Sequence, residues 1–97
     1  MGVVCDTQAH ESIIRVSGFF DCNVAHDFQR IAREIPAGNL VCVDLKEARM
    51  IDSAGLGSLL LLCDVVYEGY RIRILNANDD IKRVMFLARY ETLFDIL

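Results

Sequence analysis

Apolar residues recur along this chain with two different periods, and the switches between them mark its elements. Residues Ser12–Ser17 alternate, with Ile13, Arg15 and Ser17 on one side and Ser12, Ile14 and Val16 on the other, which predicts a half-buried strand. A first strand is predicted within Val3–Thr7, joined to it by a hairpin connection at Ala9-His10-Glu11. The period then lengthens. Val24, Phe28, Ile31, Ala32 and Ile35 follow helical spacing, Asp21 or Asn23 can cap the helix, and Pro36-Ala37-Gly38-Asn39 ends it. Leu40–Leu45 is nearly continuous in apolar residues, the pattern of a strand covered on both faces. A short polar connection and a turn at Asp52–Gly57 lead into a long apolar helix reaching Tyr67. In that helix Leu56, Leu59, Leu60, Cys63 and Tyr67 share one side and predict its core face. Leu61, Leu62 and Val65 point the other way, beside Ser58, either under a neighbouring helix or as an apolar docking patch. After a break at Glu68-Gly69-Tyr70 come a strand at Arg71–Leu75 and a third helix carrying Ile81, Val84, Met85 and Ala88. Asn76–Asp79 supplies caps for that helix, and Thr92–Leu97 is a short apolar tail, helix or strand. The order β-β-α-β-α-β-α predicts an α/β fold, with a mixed, mostly parallel sheet of about four to five strands and helices packed on it.

The turn before the long helix carries the candidate chemistry. Asp52, Ser53 and Ala54 precede Gly55-Leu56-Gly57, so small residues and one hydroxyl stand where a helix begins. A helix start has backbone N–H groups without internal partners and a partial positive charge, so an oxygen-bearing side chain fits there as a cap. A phosphate fits there as well. The two glycines either permit a tight turn and close helix–sheet packing or let a partner's backbone approach.

The run VDL-x5-IDSAGLGSLLLL resembles the signature of STAS domains, in particular the stand-alone anti-sigma factor antagonists. Ser17-Gly18-Phe19-Phe20-Asp21 is similar to the family's Gly-x-x-Asp segment, and Val84–Leu97 to its closing helix and Leu-Phe tail. The resemblance covers nearly the whole chain and implies a single STAS domain over residues 1–97. It implies that Ser53, the first Ser after the Asp, is the residue phosphorylated by a partner kinase. The family's second hydroxyl is replaced by Ala54, which leaves Ser53 as the turn's only hydroxyl. The resemblance further implies a partner surface made of Asp21, Asp52, Ser53, Ala54, Gly55, Leu56, Gly57 and, by its apolar exposure, Leu61. The expected partners are an anti-sigma factor or serine kinase and a phosphatase, in the branch that includes response-regulator-linked proteins. Unphosphorylated, the chain would sequester the partner; phosphorylated, it would release it. The alternative is a constitutive STAS subunit of an ABC-type lipid-transport ATPase, although those subunits commonly lack the Asp-Ser pair kept at Asp52-Ser53.

Composition narrows the remaining choices. Ninety-seven residues, 54% of them hydrophobic, with one proline, describe one globular domain. A net charge of −4 argues against direct nucleic-acid binding. The absence of a long apolar run or a signal-peptide pattern predicts a cytoplasmic protein with no membrane insertion. Cys5, Cys22, Cys42 and Cys63 form no CxxC pair, and Cys42 and Cys63 sit in apolar runs as core residues. His10 and His26 lack metal-site spacing and read as surface residues, so no metal or cofactor is expected. Gly55 and Gly57 lack the third glycine of a dinucleotide fingerprint, since Leu60 occupies its place. Asp44 reads as structural, and Arg71, Arg73, Lys82 and Arg83 as a solvated, salt-bridged surface. No nucleophile–base set can be assembled around Ser53, so the chain is expected to be a substrate and binder, not an enzyme. A monomer or weak dimer is expected.

Overall fold

The computed structural model describes residues 2–66 and 71–97. Tyr67 and the expected break at Glu68-Gly69-Tyr70 lie outside the described residues. Strands β1 (Val3–Thr7) and β2 (Glu11–Phe20) form an antiparallel hairpin, Val3 opposite Val16 and Thr7 opposite Ser12. Helix α1 (Cys22–Ala32) carries the chain to β3 (Leu40–Ile51), parallel to β2. Helix α2 (Ser53–Val65) leads to β4 (Ile72–Leu75), and α3 (Asp79–Leu87) with a 3-10 turn at Tyr90–Thr92 leads to β5 (Phe94–Ile96). These two strands are also parallel to their neighbours, and the five-stranded sheet runs in the order β1-β2-β3-β4-β5. Each crossover steps one strand in the same direction, so right-handed connections place the helices on one face of the sheet.

That face holds the core. Ile14, Val16, Val41, Val43, Leu45, Ile72, Ile74 and Phe94 point into it and are buried, against Phe28, Leu59, Leu62, Ile81 and Met85 from the helices. The other face carries Arg15, Asp44, Arg73 and Asp95, so β3 is covered on one side only, contrary to its apolar reading. Leu40 on that side is exposed. Cys42 stays buried because its neighbours close over it; its thiol contacts the Glu11 carboxylate at 3.5 Å. Asp44 is structural, as its side chain accepts from Lys46 N at 3.0 Å and from Asn76 Nδ2 at 3.0 Å.

Two further expectations need correction. Lys46–Met50 is not a connection; β3 continues through it to Ile51, and β2 continues to Phe20. The register against β2 slips twice, between Arg15 and Ser17 and between Gly18 and Phe19, each time adding a residue to β3. Gly18 sits at the second slip with φ 75°, a left-handed conformation glycine adopts without penalty. The helix-facing positions of β3 therefore step from Leu45 to Ala48 to Ile51, and a period-two search reads that spacing as loop.

The central helix is also turned differently. Gly55, Ser58, Leu59 and Leu62 are buried, Leu56 and Cys63 are half-buried, and Leu60, Leu61 and Val65 are exposed. Leu60 leaves the core and Leu62 enters it, a rotation of about one residue, or about 100°. Helix α1 covers the Ser58 side, where Gln29 Nε2 donates to Ser58 Oγ at 3.3 Å. On the Leu56 side, the Tyr90 hydroxyl donates to the Leu56 carbonyl at 2.8 Å. The tail that delivers Tyr90 is held by Arg71, which bonds Asp95 at 2.7 Å and the carbonyls of Glu91, Thr92 and Phe94.

Candidate functional site at the start of the central helix

Strands β2 and β3 end side by side, Phe20 opposite Ile51, and the next residue of each is an aspartate that caps a helix. Their backbones are nearly identical, φ −110° and ψ −168° at Asp21, φ −110° and ψ −171° at Asp52. Asp21 Oδ1 accepts from Asn23 N at 3.1 Å and Val24 N at 3.3 Å. Asp52 Oδ1 accepts from Ala54 N at 2.9 Å and Gly55 N at 3.1 Å. The Asp52 amide also donates to the Phe20 carbonyl at 3.3 Å, tying the two junctions together. Two electropositive helix ends thus converge at the C-terminal edge of the parallel strands, where open α/β sheets place their binding sites.

The structure brings Asp21 and Asp52 into one shallow cleft of about 280 Å³, completed by Phe19, Phe20 and Met50. Phe19 and Met50 are paired across the strands and are 62% and 46% exposed. Sequence reasoning did not select them. Phe19 resembled part of a strand-to-helix lead-in, and Met50 fell in the supposed connection; alternation with buried Phe20 and Ile51 was the available signal.

Ser53 is the first residue of α2 and is exposed. The cap is Asp52, not Ser53, and the Ser53 hydroxyl has no hydrogen-bond partner among the described residues. Gly55 faces inward: a Cβ there would lie 2.4 Å from the Phe20 carbonyl oxygen. It serves close helix–sheet packing and is not available to a docking protein. Gly57 differs, since a Cβ there would meet nothing within 4 Å. Ala54 and Leu56 are half-buried flanks of the turn. At about 100° per residue, Ser53, Gly57, Leu60 and Asp64 form one outward stripe with Leu61 beside it. Leu61 stands two turns from Ser53, about 12 Å along the helix, and is not part of the turn itself. The described residues contain no group of three or more His, Cys, Asp or Glu placed to hold a metal ion. No helix among them is long and apolar enough to cross a membrane.

The arrangement has counterparts in known proteins. A sequence-family model described as "Mlab, STAS domain" matches residues 3–96. A STAS-domain containing protein of Pseudomonas aeruginosa is 31% identical over 88 residues, covering 89% of this chain and 87% of that protein. An anti-sigma factor antagonist from Mycobacterium paratuberculosis shares the fold with a TM-score of 0.80 at 14% identity, over 97% of this chain and 82% of the other. A STAS domain antisigma-factor antagonist from Rhodobacter sphaeroides superposes with a TM-score of 0.60 at 25% identity, over 81% of this chain and 89% of the other.

Proposed function

This chain belongs to the STAS domain family, and from that premise we propose that it is an anti-sigma factor antagonist whose binding is switched by phosphorylation of Ser53. It acts by binding, without catalysis of its own. Unphosphorylated, it holds a partner carrying an anti-sigma or serine-kinase module; that kinase modifies Ser53 and is released, and a phosphatase resets the chain. The observation that carries the reading is the division of labour at the turn. Asp52 satisfies the helix amides, so the Ser53 hydroxyl is exposed and has no structural bond to lose.

A phosphoserine brings about −1.5 to −2 charges and three acceptor oxygens. At the first residue of α2 that charge meets the positive end of the helix dipole, an effect worth about 0.3–1 kcal/mol near the surface. The fold therefore accepts it. A protein docked over Asp21, Asp52, Ser53 and Gly57 meets the same group as added bulk and a further negative charge beside two carboxylates. The relatives described as anti-sigma factor antagonists support the class of partner.

The test is intact mass of the protein from its host, with the modified residue located, followed by pull-downs with Ser53→Ala and Ser53→Asp. The alanine variant should retain a serine-kinase partner. The aspartate variant should lose most of it, incompletely because one charge replaces nearly two. Equal binding by both variants refutes the switch, and recovery of an ABC-type ATPase in place of a kinase overturns the partner assignment.

A further inference from the structure

The exposed apolar residues of α2 that the switch does not use lie at the far end of the helix. Leu61 and Val65 are 47% and 46% exposed. With Gln29, Ala32, Arg33 and Asp64 they line a shallow cleft of about 100 Å³ between α1 and α2. The two helices run in the same direction, because each follows a strand of one parallel pair and begins at neighbouring caps, Asp21 and Asp52. Arg33 lies as many residues beyond Asp21 as Asp64 lies beyond Asp52, so the two charges stand level on opposite walls of the cleft. Both are exposed, and neither has an ion-pair partner among the described residues.

We propose that this cleft pairs with the same cleft of a second copy of the chain, about a two-fold axis running along it. Such an axis exchanges the walls. Arg33 of each copy then faces Asp64 of the other, and Leu61 and Val65 of both copies meet between the charge pairs. A two-fold axis across the cleft would instead set Arg33 against Arg33 and Asp64 against Asp64, so the charge pattern selects both the occupant and its orientation. The patch is small beside the roughly 800 Å² per partner of a standard stable interface, so the dimer is weak and forms with rising concentration. Ser53 lies about 16 Å further up the helix and remains open in the pair. The pairing does not rest on the phosphorylation reading.

Sedimentation equilibrium of the full chain, carried into the millimolar range, tests it. The mean mass should rise from one chain towards two. Arg33→Glu and Asp64→Arg should each lower the association constant by about tenfold or more. The double variant, which restores opposite charges across the axis, should recover association to within about threefold of the parent. That recovery also shows the single variants were not merely misfolded. A single-chain mass throughout, a dimer indifferent to the single reversals, or a double variant as weak as the singles each overturns the proposal.

Discussion

Alanine at Gly55 and at Gly57 should move stability in opposite directions, although the residues are two apart in one helix. Alanine is better than glycine in a helix interior by about 0.8–1 kcal/mol. At Gly57 the added methyl meets nothing within 4 Å, so Gly57→Ala should collect most of that gain. At Gly55 the methyl would lie 2.4 Å from the Phe20 carbonyl oxygen, 2.7 Å from Ile51 Cγ1 and 3.0 Å from Phe20 Cδ1. The side-chain atoms can give; the carbonyl cannot do so cheaply, because it accepts the Asp52 amide at the junction of β2 and α1. Overpacking of this kind costs about 1–3 kcal/mol, which outweighs the propensity gain. In a domain of this size 1 kcal/mol moves Tm by about 4–8 °C. Gly57→Ala should therefore melt a few degrees higher than the parent and Gly55→Ala at or below it, with matching shifts of the urea midpoint at unchanged slope. The comparison tests the rotation of α2 directly. Had the helix packed through Leu56, Leu59, Leu60 and Cys63, both glycines would stand at the margins of its core face and both substitutions would give a similar small gain. Equal stabilisation by the two variants refutes the packing described here.

Other outcomes follow from the same contacts. Asp52→Ala and Asp21→Ala each free two amides and should cost about 0.5–2 kcal/mol by urea titration. Ser53→Ala, which removes no bond, should stay within about 0.5 kcal/mol of the parent. Tyr90→Phe removes the bond to the Leu56 carbonyl and should cost about 0.5–1.5 kcal/mol. Burial first, then its bond to and the charge of Glu11, raise the Cys42 thiol pKa; burial, then Asp64, raises Cys63; burial, then Cys63, raises the Tyr90 phenol. A raised acid holds its proton longer folded than unfolded, so this stability is complete below the unfolded pKa and is lost as pH rises through the folded one. Tm should accordingly fall on the alkaline side, beyond the ordinary thiol value of 9.0, and a Tm that holds or rises there refutes the assignment. Under native conditions a thiol reagent should modify exposed Cys22 before buried Cys42.

The sequence revealed elements wherever a single period governed burial. Alternation grouped Ser12, Ile14 and Val16 on one side of β2, and that side is buried; helical spacing picked out Phe28, Ile81 and Met85, which are buried as well. It failed where a second constraint overrode the period. In β3 that constraint is the pair of register slips, invisible without the partner strand. In α2 nearly every position is apolar, so the pattern could not choose a core face, and the choice fell to Gly55. As the residue that can lie against the Phe20 carbonyl, it sets which side of the helix faces the sheet. Glycine carries no apolar side chain, so a count of hydrophobic positions passes over the residue that orients the helix. The same rotation brings Ser58 inside and turns Leu60 out beside Gly57, changing which residues a partner can touch. The turn was legible to a different degree. The resemblance pointed to Asp52 and Ser53, but which of the two oxygens caps the helix is a matter of backbone geometry.

That last point bears on the proposed switch. A serine that capped α2 would have its hydroxyl committed to an amide, and a phosphate there would have to displace the cap it replaced. With the carboxylate of Asp52 on the Ala54 and Gly55 amides, the helix start is complete before any modification arrives. The cost would be electrostatic, because the carboxylate that frees the hydroxyl would also stand beside a phosphate on Ser53, while Asp21 and Asp52 share one cleft. Within the domain this repulsion is offset by two helix ends and by solvent. Under a docked partner, with water excluded and the effective dielectric lowered, the same repulsion grows. On the proposed switch, an exposed serine next to a capping aspartate would accept phosphate when free and reject a partner once modified, and the difference would come from what the partner removes, not from any rearrangement of the fold.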